Sequence, residues 1–519
     1  MSATTWLTGE PYRLAGTRMA FASWYYVRPA GFGWYDEQGR NVAVGGDQGP
    51  DGARFGRTDD PVGVRLAVRP ASKTGELLSP ERPWEAGGVD IGTVMRDGSL
   101  YRAWGTTGWG DLKERGENYF VYFESDDAVH WRRPDCGLVE VAGDKRNNVL
   151  GRFGGSVFVD PSCPPAERYK WISEAHFPKE VYEAYVRRRP EAVDPRSHRV
   201  DADLYIGVRG AVSPDGVRWS VIDQPLVMRH SDTQNICYYD PVLGKYVAYM
   251  REFAAGPRAE SGTRDLTPQR WLSVGRRAIA RAETDDFRHF PLGETLLEPA
   301  PWMSFSETLY TNCRTTIPRA PEVPVMFPTV WDQATDSTWV AMATGHDGRA
   351  WQFIPHARMF ETGSFGGFDG GSVFAHPELL EMPNGDFALP YSGYDVPHKY
   401  PRRRARRGFG YAVWPRGRLI GIEASERGAF STVGVIASGG RIRINAETRR
   451  AGCVLVEAAG LDGKAIGGRE FENCVPLFGD CFGSPVRWKG HDDLGVAAGE
   501  PVILRFRMEA GSVYCVDFE

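Results

Sequence analysis

The amino-acid sequence predicts an all-β protein, a five-bladed β-propeller followed by a C-terminal β-sandwich. Two kinds of repeat and one change of pattern lead to this prediction. Four acid-containing turns resemble one another, five β-hairpins recur among them, and both repeats stop near residue 430. Recurrence of one supersecondary unit every few tens of residues is typical of repeat architectures, and in a β-rich chain it favours a propeller.

Each acid-containing turn has an aspartate followed four residues later by an aromatic ring. The four copies span residues 125–131, 213–219, 284–290 and 345–351. Each closely follows a β-rich run, so we expect a peripheral turn of a blade, in which the aspartate accepts backbone hydrogen bonds. We therefore assign these aspartates a structural role.

The five predicted hairpins supply the axial part of each blade. They lie near residues 90–104, 155–174, 236–252, 312–331 and 372–391. Two of them turn at Asp-Pro pairs, and we expect Asp160 and Asp240 there to be structural. Five hairpins, combined with four acid-containing turns, predict five blades.

The prediction divides the chain into three parts. Residues 85–430 form the propeller, with one helix predicted as an insertion at residues 179–189. Residues 431–519 alternate apolar and polar side chains, which is typical of strands with one buried face, and we predict a β-sandwich there. Residues 1–84 are β-rich without a clear pattern, and we expect them to close the ring or to cover its mouth.

Composition excludes several classes of function. With a net charge of -5 and a pI of about 6.1, the chain has no basic field for nucleic acid. No apolar run is long enough for a membrane span, and no signal peptide is visible, so we expect a cytoplasmic protein. The eight cysteines are scattered, which argues against zinc. We expect no cofactor; an axial calcium ion has no supporting motif, and the sequence does not indicate an oligomeric state.

The chemistry is expected at one mouth of the propeller axis. The innermost strand of each blade runs along the axis, so the residues that open it line a funnel. Acids recur at these positions, and the returning strand brings Glu174 to the same end. We expect the catalytic carboxylates among Asp90, Asp232, Glu252, Glu307 and Asp369. Glycoside hydrolysis needs such a pair, one to protonate the leaving oxygen and one to attack or to activate water.

Polar and aromatic side chains at the same end are candidates for contacts with a carbohydrate. Aromatic residues make up 12% of the chain, which suits stacking on sugar rings, although strands are rich in aromatics for packing reasons alone. The predicted substrate-binding residues are Asn148, Gln234, Arg251, Asn312, Arg314, Trp331, Tyr391 and His398.

The hairpins, acid-containing turns and terminal sandwich together resemble glycoside hydrolase family 32 and its five-bladed propeller relatives, including family 43. The turn at residues 213–219 also resembles the Asp-box of sialidases. The resemblance implies a five-bladed propeller and glycosidase activity, with Asp90 in the blade position of the nucleophile. The chain departs from the family 32 signatures, since Asp90 lacks the neighbouring Asn and Pro, Asp160-Pro161 is preceded by Val159 instead of Arg, and no Glu-Cys dipeptide occurs.

Three hypotheses remain open at the level of sequence. The first is a glycosidase acting on a furanoside or another small oligosaccharide. The second is a non-catalytic carbohydrate-binding propeller with the same funnel. The third is a glycan lyase that uses Tyr391 and His398 as base and acid.

Overall fold

A computed structural model confirms an all-β fold with a five-bladed propeller. Five antiparallel sheets follow one another within the described part of the chain; each contacts the next, and the fifth contacts the first. Gly, Pro, Asp and Asn turns between apolar runs produce these short, regularly spaced strands. The structure describes residues 11–29, 31–35, 41–42, 54–58, 61–108, 118–199, 203–253, 276–346, 348–400 and 406–519.

The first two blades begin at the axis and run outward. Blade 1 consists of Val89–Asp97, Leu100–Thr107, Tyr119–Ser125 and Val149–Gly151. Blade 2 consists of Ser156–Val159, Tyr169–Phe177, Leu204–Ser213 and, on the outer edge, His198–Arg199 and Ser220–Val221. The helix predicted at 179–189 is observed at Lys179–Arg188, between the second and third strands of blade 2.

Blades 3 and 4 repeat the arrangement. Blade 3 consists of Ile236–Asp240, Lys245–Phe253, Arg277–Thr284 and Glu294–Leu297. In blade 4 the two inner strands are each divided in two, and its strands are Glu307–Leu309 with Arg314–Ile317, Ala320–Met326 with Thr329–Asp332, Ser337–His346 and Ala350–Glu361. An apolar cluster lies between each pair of these neighbouring blades, so one sheet buries its face against the next.

The fifth blade takes its outermost strand from the N-terminal part of the chain. Its strands are Ser372–Ala375 with Leu380–Glu381, Phe387–Tyr394, Arg407–Trp414 and Ser72–Lys73. Ser72 pairs with Val413 and Lys73 pairs with Ala412. A strand that precedes blade 1 in sequence therefore completes blade 5, which joins the two ends of the ring.

The acid-containing turns connect the third and fourth strands of their blades. Oδ1 of Asp215 accepts hydrogen bonds from the backbone N–H groups of Val217 and Arg218 at 2.9 and 2.7 Å. Asp127 makes the same two contacts with residues 129 and 130, and Asp286 makes one with Arg288. The aspartate of the fourth copy lies outside the described residues.

A separate eight-stranded sheet combines both ends of the chain. Its strands are Tyr12–Arg13, Arg18–Ala20, Arg65–Val68, Ile420–Ser431, Val435–Ile436, Ile442–Ala459, Asp480–Pro485 and Pro501–Phe518. The part of the chain predicted as a sandwich supplies strands to this sheet, to which three N-terminal strands also contribute, and the sandwich itself stays a prediction. The limits 1–84, 85–430 and 431–519 stay a prediction.

The remaining elements are short. One three-stranded sheet contains Gly31–Tyr35, Asn41–Val42 and Arg54–Thr58. Within the described ranges, the 3-10 helices are Pro83–Glu85, Pro165–Glu167, Pro190–Ala192, Pro195–Ser197, Pro415–Gly417 and Phe471–Asn473. In the described part of the chain, no helix has the length and apolar character needed to cross a membrane.

Candidate active site

A cavity of 610 Å³ opens at one end of the propeller axis. Its volume lies within the range of about 300–1,000 Å³ usual for small-molecule sites. Every blade contributes to its wall, as illustrated by Asp90, Ser156, Asn235, Tyr310 and Ser372. These residues open the inner strands or lie beside their beginnings, which is where the propeller geometry places a funnel.

Volume alone does not select this cavity. Two surface clefts of 670 and 710 Å³ lie elsewhere, one beside Glu381 and Phe482 and the other beside Arg281 and Glu283. In the cleft beside Arg281, the Glu283 carboxylate is already bound by that guanidinium. The axial cavity differs because it collects carboxylates from three consecutive blades: Asp90, Glu174 and Asp232.

Asp90 is the carboxylate of blade 1. Its Oδ1 accepts a hydrogen bond from Ser392 Oγ, and its Oδ2 accepts one from the Tyr394 hydroxyl at 2.9 Å. Burial by itself raises the pKa of Asp90, but the Nε2–H group of His376 close to Oδ1, the Arg407 guanidinium and the two hydroxyl hydrogen bonds outweigh burial, so the pKa lies below its usual value. Asp90 is therefore an ionised carboxylate that keeps 20% of its side chain accessible.

Asp232 is the carboxylate of blade 3, and it forms an ion pair with Arg251. The Nε2 atom of His230 lies 3.7 Å from its other oxygen. Because the Arg251 side chain is only 1% exposed whereas that of Asp232 is 34% exposed, the carboxylate presents the pair to the cavity. Arg251, predicted to bind substrate, instead supports Asp232 from behind.

Glu174 comes from the second strand of blade 2. Its Oε1 lies 3.4 Å from Nε2 of His176, and its side chain is 26% exposed. Among the described residues, Glu174 forms its ion pair with the His176 imidazole. The other two acids of the cavity, Asp90 and Asp232, each have a guanidinium within 4 Å.

Aromatic rings form the wall of the cavity on the side of blades 4 and 5. The ring of His398 lies 4.3 Å from Tyr310 and 5.3 Å from Phe374, and all three residues line the cavity. Trp331 packs behind them, 5.2 Å from His398. Such rings offer flat apolar faces with polar edges, which suits a sugar.

Three of the predicted catalytic acids lie away from the cavity wall. Asp369 binds Nζ of Lys73 at 2.6 Å and the Tyr391 hydroxyl at 2.9 Å. Glu252 forms ion pairs with Arg196 and Arg229 at 2.7 and 2.5 Å. The third, Glu307, accepts hydrogen bonds from the backbone N–H of Ser304 and from Trp339 Nε1. Each of these carboxylates is used within the fold, and none lines the cavity.

Several of the predicted substrate-binding residues also have structural partners. Asn148 donates to the backbone oxygen of Tyr122 at 2.9 Å. Asn312 donates to the backbone oxygens of Gln234 and Tyr249 at 3.1 and 3.4 Å.

Arg314 and Tyr391 complete the set of predicted contacts. The Arg314 guanidinium stacks 3.6 Å from the ring centre of Tyr238. Tyr391 contacts Asp369, on the opposite face of its strand from Ser392. Of the predicted substrate-binding residues, Gln234 and His398 line the cavity.

Three cavity residues were not predicted from the sequence: His376, Ser392 and Tyr394. Strand pairing places Ser372 opposite Tyr394 and Phe374 opposite Ser392, so these four side chains share the face toward the cavity. Side chains along residues 387–394 must alternate between the two faces of the strand, and this was the available signal. The register that decides which face points toward the cavity is not visible in the sequence.

Among the described residues, no group of three His, Cys, Asp or Glu side chains is arranged to hold a metal ion. The eight cysteines are all free thiols.

The solved structures that are similar to this chain are distant from it in sequence. No protein-family model matches the chain, and no curated protein matches it. A solved structure described as a glycoside hydrolase is 14% identical over 68% of this chain and 94% of its own, with a TM-score of 0.43. A thermostable family-43 glycoside hydrolase is 12% identical over 64% and 92%, with a TM-score of 0.38.

A larger share of the chain is covered by a fructofuranosidase from Schwanniomyces occidentalis complexed with fructosylnystose. It is 10% identical over 86% of this chain and 96% of its own, with a TM-score of 0.38. Likenesses at such identities and TM-scores carry no activity over to this chain.

Proposed function

We propose that this protein hydrolyses a glycosidic bond in the axial cavity. The observation that carries the proposal is the convergence of Asp90, Glu174 and Asp232 from three blades on one cavity with an aromatic wall. A glycosidase needs two carboxyl groups in different settings, one that gives a proton and one that stays ionised. A furanoside or another small oligosaccharide would fit a cavity of 610 Å³.

The contacts of each acid suggest its role. Asp90 is held ionised by two hydroxyl groups and nearby positive charge, so we assign it as the nucleophile or base. Asp232 is bound by Arg251, which favours its ionised form and suits contact with sugar hydroxyls. Glu174 is then the best candidate for the proton donor.

The proposal is tested with aryl glycosides whose leaving groups differ in acidity, furanosides included. Asp90→Asn should lower kcat/KM about 10²–10⁴-fold for every substrate that the wild type cleaves. Glu174→Gln should lose about 10²-fold or more with poor leaving groups but little with dinitrophenolate, which departs without a proton. Glu180→Gln, an exposed change on the helix Lys179–Arg188, is the matched control.

The same assays decide between the open alternatives. Binding of oligosaccharides without cleavage would favour the carbohydrate-binding propeller and contradict the proposal. An unsaturated product that absorbs in the ultraviolet would favour a lyase, although Tyr391, its expected base, binds Asp369 and does not line the cavity. Undiminished activity in Asp90→Asn would remove Asp90 from the catalytic set.

Cytoplasmic location and the absence of nucleic-acid and membrane partners remain predictions from composition.

A further inference from the structure

A chain of hydrogen bonds runs from blade 3, through blade 5, to Asp90 in blade 1. It begins at Gln234, whose side-chain oxygen accepts a hydrogen bond from the backbone N–H of Cys313 at 2.6 Å. The side-chain nitrogen of Gln234 donates to the backbone oxygen of Ala375 at 3.0 Å. Because a backbone N–H can only donate and a carbonyl can only accept, these partners fix the orientation of the Gln234 amide.

The orientation of this amide determines where His376 carries its proton. Nδ1 of His376 lies 3.3 Å from Nε2 of Gln234, a nitrogen that only donates. Nδ1 therefore accepts, and the ring proton resides on Nε2 of a neutral imidazole. Burial lowers the pKa of His376 more than the neighbouring Asp90 raises it, which agrees with a neutral ring.

The neutral imidazole directs the next two hydrogen bonds. Nε2 of His376 lies 2.9 Å from Ser392 Oγ, so its N–H donates to that oxygen. Ser392 then turns its own hydrogen toward Asp90 Oδ1, with which it forms a hydrogen bond. A hydrogen bond donated to a carboxylate favours the ionised form.

We propose that Gln234, His376 and Ser392 are positioning residues that aim one hydroxyl hydrogen at Asp90 and keep its carboxylate ionised and oriented. The inference rests on the proposed glycosidase activity, because it treats the Asp90 carboxylate as one of the reacting groups. His376 serves as a fixed neutral donor and neither gives nor takes a proton in the reaction. Gln234, predicted to bind substrate, orients His376 instead.

Other charged and titratable groups near Asp90 act on its second oxygen. The Tyr394 hydroxyl donates to Oδ2 at 2.9 Å, and a guanidinium nitrogen of Arg407 lies 3.9 Å from Oδ2. Nε2 of His376 is itself 3.6 Å from Oδ1. The remaining ionisable groups of the cavity wall are Tyr119, Arg152, Glu174, Asp232, Tyr310 and His398. A substitution at Ser392 therefore removes one contact with Oδ1 and leaves those with Oδ2 in place.

The first experiment reads the protonation of His376 by NMR of the full chain labelled with ¹⁵N-histidine. The chain has ten histidines, and His376→Asn identifies the signals of interest. We expect the pattern of a neutral ring protonated at Nε2 throughout the range of about pH 5–8 in which histidines usually titrate. In Gln234→Glu, a carboxylate faces Nδ1, so both ring nitrogens should become protonated in this range.

A wild-type His376 that titrates between about pH 5 and 8, or that carries its proton on Nδ1, would overturn the inference. Neither measurement requires catalysis. The result therefore stands apart from the fate of the proposed glycosidase activity.

The second experiment measures the pKa of Asp90 by ¹³C NMR of aspartate carboxyl groups, with Asp90→Asn for assignment. Ser392→Ala should raise this pKa by about one pH unit, because a hydrogen bond to the charged form is lost. The matched control is Ser372→Ala on the same face of blade 5, whose hydroxyl donates to the backbone oxygen of Val396 at 3.2 Å. The control should leave the pKa of Asp90 unchanged.

If hydrolysis is observed, the acidic limb of the plot of kcat/KM against pH should shift to higher pH in Ser392→Ala, by the same number of pH units as the pKa of Asp90. An unchanged Asp90 pKa in Ser392→Ala would refute the positioning role, even in an active enzyme. Conversely, suppose that Ser392→Ala shifts the pKa of Asp90 but the protein cleaves no glycoside. This result would support the series of hydrogen bonds and reject only the proposed function.

Discussion

The ion pair between Lys73 and Asp369 should be a main contribution to closing the propeller ring. Lys73 belongs to the N-terminal strand that completes blade 5, and its Nζ contacts Asp369 Oδ2 at 2.6 Å and the backbone oxygen of Glu361 at 2.8 Å. The side chains of Lys73 and Asp369 are only 21% and 10% exposed. The pair is therefore less screened by solvent than a surface ion pair.

Its magnitude follows from this partial burial. Two unit charges about 4 Å apart attract by about 4 kcal/mol at an effective dielectric constant of about 20. Desolvation and the ordering of the lysine offset roughly half of that attraction. We therefore expect a coupling free energy of about 2 kcal/mol. Each single substitution should cost more, about 3 kcal/mol, because it leaves a charge in a poorly solvated place.

The assay is a double-mutant cycle of Lys73→Met and Asp369→Asn in urea unfolding, followed by tryptophan fluorescence. The exposed pair Arg427–Glu509, with side chains 87% and 49% exposed, is the control and should give about 0–1 kcal/mol. In addition, Asp369→Asn should retain activity per folded molecule, since Asp369 does not line the cavity. A coupling below about 0.5 kcal/mol would refute the electrostatic reasoning. Loss of activity at unchanged stability would return Asp369 to the catalytic candidates.

Two further predictions concern the structural turns. Burial raises the pKa of Asp160, but hydrogen bonds from Ser162, Tyr246 and Lys170 outweigh burial and lower the pKa to about 2. Asp160 should therefore contribute up to about 2 kcal/mol to the free energy of unfolding above about pH 4, and this contribution should be lost as the pH falls toward about 2. Asp160→Asn should flatten this part of a plot of Tm against pH. Gly216 has a φ of +76°, and an added Cβ would lie 2.8 Å from Trp104. In thermal unfolding, Gly216→Ala should lower the free energy of unfolding by about 2–4 kcal/mol. The control Gly98→Ala should lower it by about 1–2 kcal/mol, because Gly98 has a φ of +65° but open space around the added Cβ. Equal losses in the two variants would contradict the steric argument.

The blades were predictable because their signals are local. An aspartate that accepts hydrogen bonds from the backbone N–H groups two and three residues further on specifies its turn within a few residues, as at Asp127 and Asp215. The closing strand was not predictable in the same way. Ser72–Lys73 is two residues long and pairs with strand Arg407–Trp414, more than three hundred positions away. Nothing in its composition indicates that partner.

The site was predictable at the level of strand ends but not of strand faces. The positions of Asp90 and Asp232 in the cavity wall could be predicted, because residues that open the inner strands of a propeller line its axis. Arg251 and Glu252 are neighbours on one strand, and only the observed register shows that the first supports Asp232 while the second binds Arg229. His376 lies one residue beyond the inner strand of blade 5, where that rule does not apply.

The partners of the three cavity acids favour catalysis over simple sugar binding. A binding site gains most from carboxylates that are all ionised, since each can then accept hydrogen bonds from sugar hydroxyls. Here two hydroxyl groups donate hydrogen bonds to Asp90, whose pKa is lowered, and Arg251 forms an ion pair with Asp232. Glu174 has an imidazole nitrogen of His176 within 4 Å, whereas a hydroxyl group or a guanidinium directly contacts each of the other two acids. Unequal environments around one cavity are what allow one carboxyl group to give a proton while another stays charged.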